Sequence, residues 1–146
     1  MRRVLGVAAL CLVHAACSGD VTRPSSTAQV AGEYALLTIN GQPLPYTLVD
    51  VAGAYMLQQL GGTMTLKSDR SFIEQAELRE TINEAAGPVV TDTTVVLNGL
   101  WEIEDSVIIL TTQQDGSVLF GTAAGGRLTL HLEGSDAQLV TYFYLR

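Results

Sequence analysis

An all-β fold is predicted, as an antiparallel up-and-down β-barrel of about eight strands with a β-sandwich as the alternative, and three features of the sequence carry it. From Gly32 onward apolar residues recur with a period of two. The alternation is broken by short clusters of Gly, Asn, Asp, Ser and Pro, the residues that turns need. Connections of that length hold no crossover helix, so consecutive strands must pair antiparallel.

The pattern predicts strands over about 32–39, 54–67, 71–82, 89–104, 106–113, 117–123, 126–133 and 138–145. Met64 and Leu66 alternate with Thr63, Thr65 and Lys67. In 71–82, Phe72, Ala76, Leu78 and Ile82 alternate with Gln75, Glu77, Arg79 and Thr81, with Glu74 and Glu80 interrupting the apolar side. Trp101 and Ile103 alternate with Glu102 and Glu104. Leu128, Leu130 and Leu132 point one way, and Arg127, Thr129, His131 and Glu133 the other, as a half-buried strand requires. Residues 139–145 are β-branched and aromatic almost throughout, which suits burial on both faces.

Ser68-Asp69-Arg70-Ser71, Gln114-Asp115-Gly116-Ser117, Ala124-Gly125-Gly126 and Gly134-Ser135-Asp136 supply hairpin turns. Gly61-Gly62 and Gly99 fall inside long strands, where glycine marks a bend or bulge. Residues 46–60 carry a competing signal, since Leu48, Val51, Ala52 and Tyr55 share a helical face and allow a short helix. Closing the sheet into a barrel removes both edges, whereas a sandwich must protect them.

Residues 1–16 stand apart. Arg2 and Arg3 precede an almost unbroken apolar run over 4–13, and His14-Ala15-Ala16 brings small residues up to Cys17. That order is the signature of a secretory signal peptide. A run of about ten apolar residues is half what a membrane-spanning helix needs. Ala15-Ala16-Cys17-Ser18-Gly19 resembles the lipobox of bacterial lipoproteins, which implies acylation of Cys17 as the mature N-terminus. Ordinary signal cleavage, or a retained segment with Cys11 and Cys17 paired, are the alternatives. Residues 17–31, polar and carrying Pro24, Ser25, Ser26 and Thr27, read as the lipidated end and a flexible tether ahead of one domain at 32–146.

The net charge is −7, and −9 without residues 1–16, which hold two arginines and no acid. An acidic domain repels phosphate backbones and anionic headgroups, so nucleic acid is not an expected partner and attachment to a membrane falls to the acyl chains.

The stretches Gly32-Glu-Tyr-Ala-Leu-Leu-Thr-Ile-Asn-Gly-Gln-Pro-Leu-Pro45, Gly62-Thr-Met-Thr-Leu-Lys-Ser-Asp-Arg-Ser-Phe72 and Gly99-Leu-Trp-Glu-Ile-Glu-Asp-Ser-Val-Ile-Ile-Leu110 resemble small bacterial lipocalin-like lipoproteins. Gly32-Glu33-Tyr34 stands where true lipocalins carry Gly-x-Trp, whose Trp closes the barrel floor under a distant Arg. The resemblance implies a non-catalytic barrel, with Arg146 or Arg127 in the place of that Arg.

Little else in the chain offers chemistry. His131, the one histidine beyond residue 16, lies opposite a leucine face, and zinc needs several converging ligands. Ser135 and Asp136 belong to a turn. Glu74, Glu77, Glu80 and Glu84 read as a solvated acidic face. No catalytic residue, metal site or cofactor is expected. The aromatics are the better lead. In a hollow barrel Tyr34, Trp101, Ile103 and Phe143 would line an apolar pocket, and in a tight one they would fill the core. The expectation is a membrane-tethered, non-catalytic binding module of the cell envelope, as an outer-membrane lipoprotein facing the periplasm or surface, taking a small lipophilic ligand. The alternative is a structural lipoprotein with a filled core whose partner is another envelope protein.

Overall fold

The computed structural model describes residues 27–133 and 138–146. Cys17, the signal-like residues 1–16 and the expected turn at Gly134-Ser135-Asp136 lie outside them. Ten strands follow one helical turn, α1 (Thr27–Val30): β1 (Gly32–Ile39), β2 (Gln42–Pro43), β3 (Tyr46–Val51), β4 (Tyr55–Leu66), β5 (Ser71–Glu84), β6 (Gly87–Glu104), β7 (Val107–Thr112), β8 (Val118–Ala124), β9 (Arg127–Glu133) and β10 (Leu139–Leu145).

Eight of them, β1 and β4 to β10, form a closed antiparallel up-and-down barrel. Closure depends on β1. Its residues 32–35 pair with residues 63–66 of β4, and its residues 35–39 pair with residues 142–145 of β10. This pairing excludes the sandwich, in which the first and last strands would remain edges. The closing seam is short. Past it, β3 pairs with residues 55–59 of β4, and β2 pairs with the end of β1. Residues 46–60 are therefore two strands and not a helix. Leu48 and Leu60 sit at register shifts, and each shift moves the inward side chains by one position.

Up-and-down order gives the barrel two different ends. The lower end gathers the β4–β5, β6–β7 and β8–β9 turns, the start of β1 and the end of β10. Gly125 and Gly126 there have φ of 58° and 77°, the positive values a two-residue hairpin turn demands at both positions. Asp105 and Ser106 adopt the same conformation with φ of 46° and 75°. The Asp69 carboxylate accepts from the Ser71 amide at 2.9 Å and the Ser71 hydroxyl at 2.7 Å, which shapes the β4–β5 turn.

The lower half is solid. Tyr34, Leu66, Phe72, Trp101, Ile108, Leu128 and Tyr144 are all buried there. The indole N–H of Trp101 donates to the carbonyls of Lys67 and Ser71 at 3.0 and 3.1 Å. Phe72 lies flat against Gly99, where a Cβ would come within 2.6 Å of the ring. Within the expected tether at 17–31, residues 27–30 form α1 and fold against the floor. Val30 is buried, and its carbonyl accepts the Tyr34 hydroxyl at 2.6 Å. Arg146 lies over Gly32, and its guanidinium donates to the Ala31 carbonyl at 3.1 Å and the Gln29 carbonyl at 3.4 Å.

The upper end differs. β5 and β6 run past the rest of the barrel as a ribbon, with β3 and β4 beside them. The ribbon carries exposed Val51, Ile82 and Val89, which the register places on the continuation of the inner barrel face.

Candidate functional site

Above the solid floor the barrel interior stays open as a chamber of about 260 Å³. Its apolar walls are Leu48, Leu78, Val95, Leu97, Leu119 and Leu132, contributed by β3, β5, β6, β8 and β9. Alternation delivers these side chains inward, and the β3 bulge turns Leu48 in with them. Gln59, Glu74, Thr112, Asp115 and Tyr142 supply the polar lining.

Glu74 is the feature that the sequence pattern hid. It shares parity with Phe72, Ala76 and Leu78 on β5 and pairs across to Met64 and Leu97, so its carboxyl points into the barrel and is only 8% exposed. The expected solvated acidic face does not include it. One carboxyl oxygen accepts the Tyr144 hydroxyl at 3.0 Å. The second has no protein partner among the described residues, yet no unpartnered side-chain oxygen or nitrogen there is fully enclosed, so this oxygen reaches the chamber. Burial pushes the Glu74 carboxyl above the ordinary glutamate range, and the Tyr144 hydroxyl only partly offsets it. The same burial, followed by the neighbouring carboxyl, raises Tyr144 and Tyr142. Tyr46 stands near Tyr142, and its hydroxyl accepts from Asn40, which also accepts from the Thr141 amide at 2.8 Å.

The rim carries a second acid. The Asp115 carboxylate accepts from the Thr112 hydroxyl, from the Ser117 amide at 3.0 Å and from the Ser117 hydroxyl at 2.7 Å. These donors, the Thr112 hydroxyl first, lower it to about 2. Gln59 is buried and donates to the Gly61 carbonyl at 3.4 Å, which leaves its own carbonyl as a further acceptor in the lining. Among the described residues, no Lys, Arg or His lines the chamber.

The residues expected to line a pocket do not line this chamber, although Trp101 and Tyr34 each border a depression elsewhere on the barrel. Tyr34 and Trp101 fill the floor, and Ile103 packs against the same buried cluster. Phe143 pairs with Thr129, opposite in parity to the inward Tyr142 and Tyr144, and therefore faces outward, half-buried. The structure brings three of the four together, but in the solid half of the barrel. His131 faces outward as expected, with Nδ1 2.9 Å from the Thr141 hydroxyl and its ring beside Phe120. Among the described residues, no three His, Cys, Asp or Glu side chains converge on a point that could hold a metal ion.

A shallower depression of about 540 Å³ lies on the outer wall beside Arg70, Leu100, Glu102, Ile109 and Thr111. It is larger, but it is lined mainly by outward strand side chains and the β4–β5 turn. The upper chamber has what a small-molecule site needs, an apolar concavity with a few convergent polar groups. Comparison of the chain with protein-family models, with curated proteins and with solved structures finds no match in any of the three.

Proposed function

We propose that the domain is a non-catalytic, lipocalin-like binding module that takes a small lipophilic ligand into the upper half of its barrel. The chamber carries this reading: it is aliphatic on its walls, open at the ribbon end and closed below by a filled floor. At about 260 Å³ it is small for a ligand site, which suits one end of a slender molecule. The rest of such a molecule would lie along Val51, Ile82 and Val89, aliphatics that otherwise face water. The signal-like N-terminus and the lipobox-like residues around Cys17 support attachment to a membrane of the cell envelope.

Titration of the purified chain with decan-1-ol, below its solubility limit, tests the reading by calorimetry. The expected result is saturable binding near one per chain, lost in a folded Leu97→Arg variant that places a charge in the wall. Non-saturating uptake, or uptake indifferent to Leu97→Arg, would mean surface adsorption.

A second reading has its own observation. β3 is an edge strand, and Val49 and Val51 on it, with Val89 and Val90 on the adjoining ribbon, are exposed. Such an edge suits a protein-interaction module, and absence of any decanol binding would favour it.

A further inference from the structure

The chamber is not neutral in its preferences. Building on the lipophile-binding reading, we infer that its ligand is an amphiphilic amine, bound with the ammonium group down on Glu74 and the apolar chain directed out toward the ribbon. Three observations carry this. Glu74 sits at the base of the chamber, nine-tenths buried, with one carboxyl oxygen held by Tyr144 and the other turned to the chamber. The remaining lining is rich in acceptors, namely the Asp115 carboxylate and the Gln59 carbonyl, and among the described residues it contains no cation that could neutralise Glu74. The five Lys and Arg of the described residues are committed to other places. Lys67, Arg70, Arg127 and Arg146 lie at the lower end, and Arg79 is paired with Asp92 at 2.7 Å across β5 and β6.

A buried carboxylate without a cationic partner is costly, and an arriving ammonium supplies the missing charge and up to three N–H donors. A fatty acid would bring a second anion to the same spot and is excluded by like-charge repulsion. The orientation follows from the geometry. The polar anchor is at the bottom, and the inner face leads upward from Leu78 and Val95, past Thr93, Thr91 and Glu80, to Ile82 and Val89. Burial holds the Glu74 carboxyl above the ordinary glutamate range in the chamber without ligand, and a bound ammonium would bring its pKa down. The titratable groups facing Glu74 are Tyr144 and Tyr142 on β10, Tyr46 on β3 and Asp115 in the β7–β8 turn. Burial and the neighbouring carboxyl raise Tyr142 and Tyr144 and Asp115 stays ionised above about pH 2, so loss of amine affinity on acidification reports Glu74.

A matched series with one apolar body tests this on the unmodified chain: decylamine, decan-1-ol and decanoate, measured by calorimetry at neutral pH and near pH 4. Decylamine is expected to bind about tenfold or more tighter than decanol, the range of a charge-assisted hydrogen bond. Decanoate is expected not to bind, and the amine advantage should shrink at the acid end. In Glu74→Gln, amine and alcohol should bind within about twofold of each other while decanol binding persists. Equal binding of decanol and decylamine, or tighter decanoate binding, would overturn the amine assignment and leave the lipophile reading standing. No binding of any of the three would overturn both. The probe series on the unmodified chain decides the matter even if Glu74→Gln does not fold.

Discussion

Replacing Trp101 separates a floor residue from a pocket residue. The side chain is 2% exposed, and its single N–H is shared between two carbonyls of the β4–β5 turn. Trp101→Ala removes the packing of the largest side chain in the core and should cost about 3–5 kcal/mol. Trp101→Phe keeps most of the apolar contact but removes the indole N–H from the Lys67 and Ser71 carbonyls, which keep their bonds from the Arg70 and Lys67 amides. The shared N–H is worth about 1 kcal/mol net and the lost volume about as much again, so roughly 2 kcal/mol is expected. Against a typical total of about 5–15 kcal/mol, the Ala variant would lose a large share of the stability. The assay is urea unfolding followed by far-ultraviolet circular dichroism, since the variants lack the only tryptophan. The midpoint should fall with the slope unchanged. Because Trp101 is at the opposite end from the chamber, Trp101→Phe should bind decan-1-ol as tightly as the parent. An Ala variant with the parent's midpoint, or a stable Phe variant that has lost decanol, would show that Trp101 is not a floor residue.

Other perturbations probe independent parts of the account. Gly121→Ala would place a Cβ 1.8 Å from the Thr129 carbonyl oxygen and 3.0 Å from Leu130 Cα, both backbone, so nothing flexible can yield; a loss of about 3 kcal/mol is expected in the same unfolding assay. For Glu74 the folded state holds its proton more tightly than the unfolded chain, so its contribution is fully present below about pH 4.5 and is lost as pH rises through the raised value. The stability of Glu74→Gln relative to the parent should therefore grow between pH 4 and pH 7, and a shrinking difference would contradict burial of that carboxyl. Cys17→Ser, in the segment outside the described residues, should leave the fold unchanged and move the exported chain from the membrane to the soluble fraction. Retention in the membrane fraction would count against the lipid anchor.

The eight barrel strands were legible because turn-forming residues separate them and most of their length alternates at a period of two, as in Leu128-Thr-Leu-His-Leu132. β3 was not, for a physical reason. The bulges at Leu48 and Leu60 shift parity within residues 46–60, and what remains, Leu48, Val51, Ala52 and Tyr55, mimics a helical face. The single turn α1 is too short to leave a periodic signal, and it owes its place to the floor it covers. At the site, inward positions are recoverable from the alternation, but alternation alone does not say which end of the barrel they occupy. Trp101 lies close before the β6–β7 turn and Tyr34 close to the start of β1, both at the lower end. Leu119 lies at the opposite end of its strand and Leu97 four residues before Trp101 in the middle of β6, and both reach the chamber. Glu74 was treated as an interruption of the apolar side of β5, although its parity with Phe72 and Ala76 already placed it inside.

The most direct test of the central claim is a ¹H–¹⁵N correlation titration of the labelled chain with decylamine. The upper chamber should respond, with progressive, saturating shifts at the amides of Leu48, Gln59, Glu74, Leu97, Leu119 and Tyr142. The Trp101 indole N–H, sealed in the floor against Lys67 and Ser71, should stay in place as the internal control. Shifts centred on that indole or on the outer wall around Leu100 and Ile109, or none at saturating amine, would contradict binding in the mouth of the barrel.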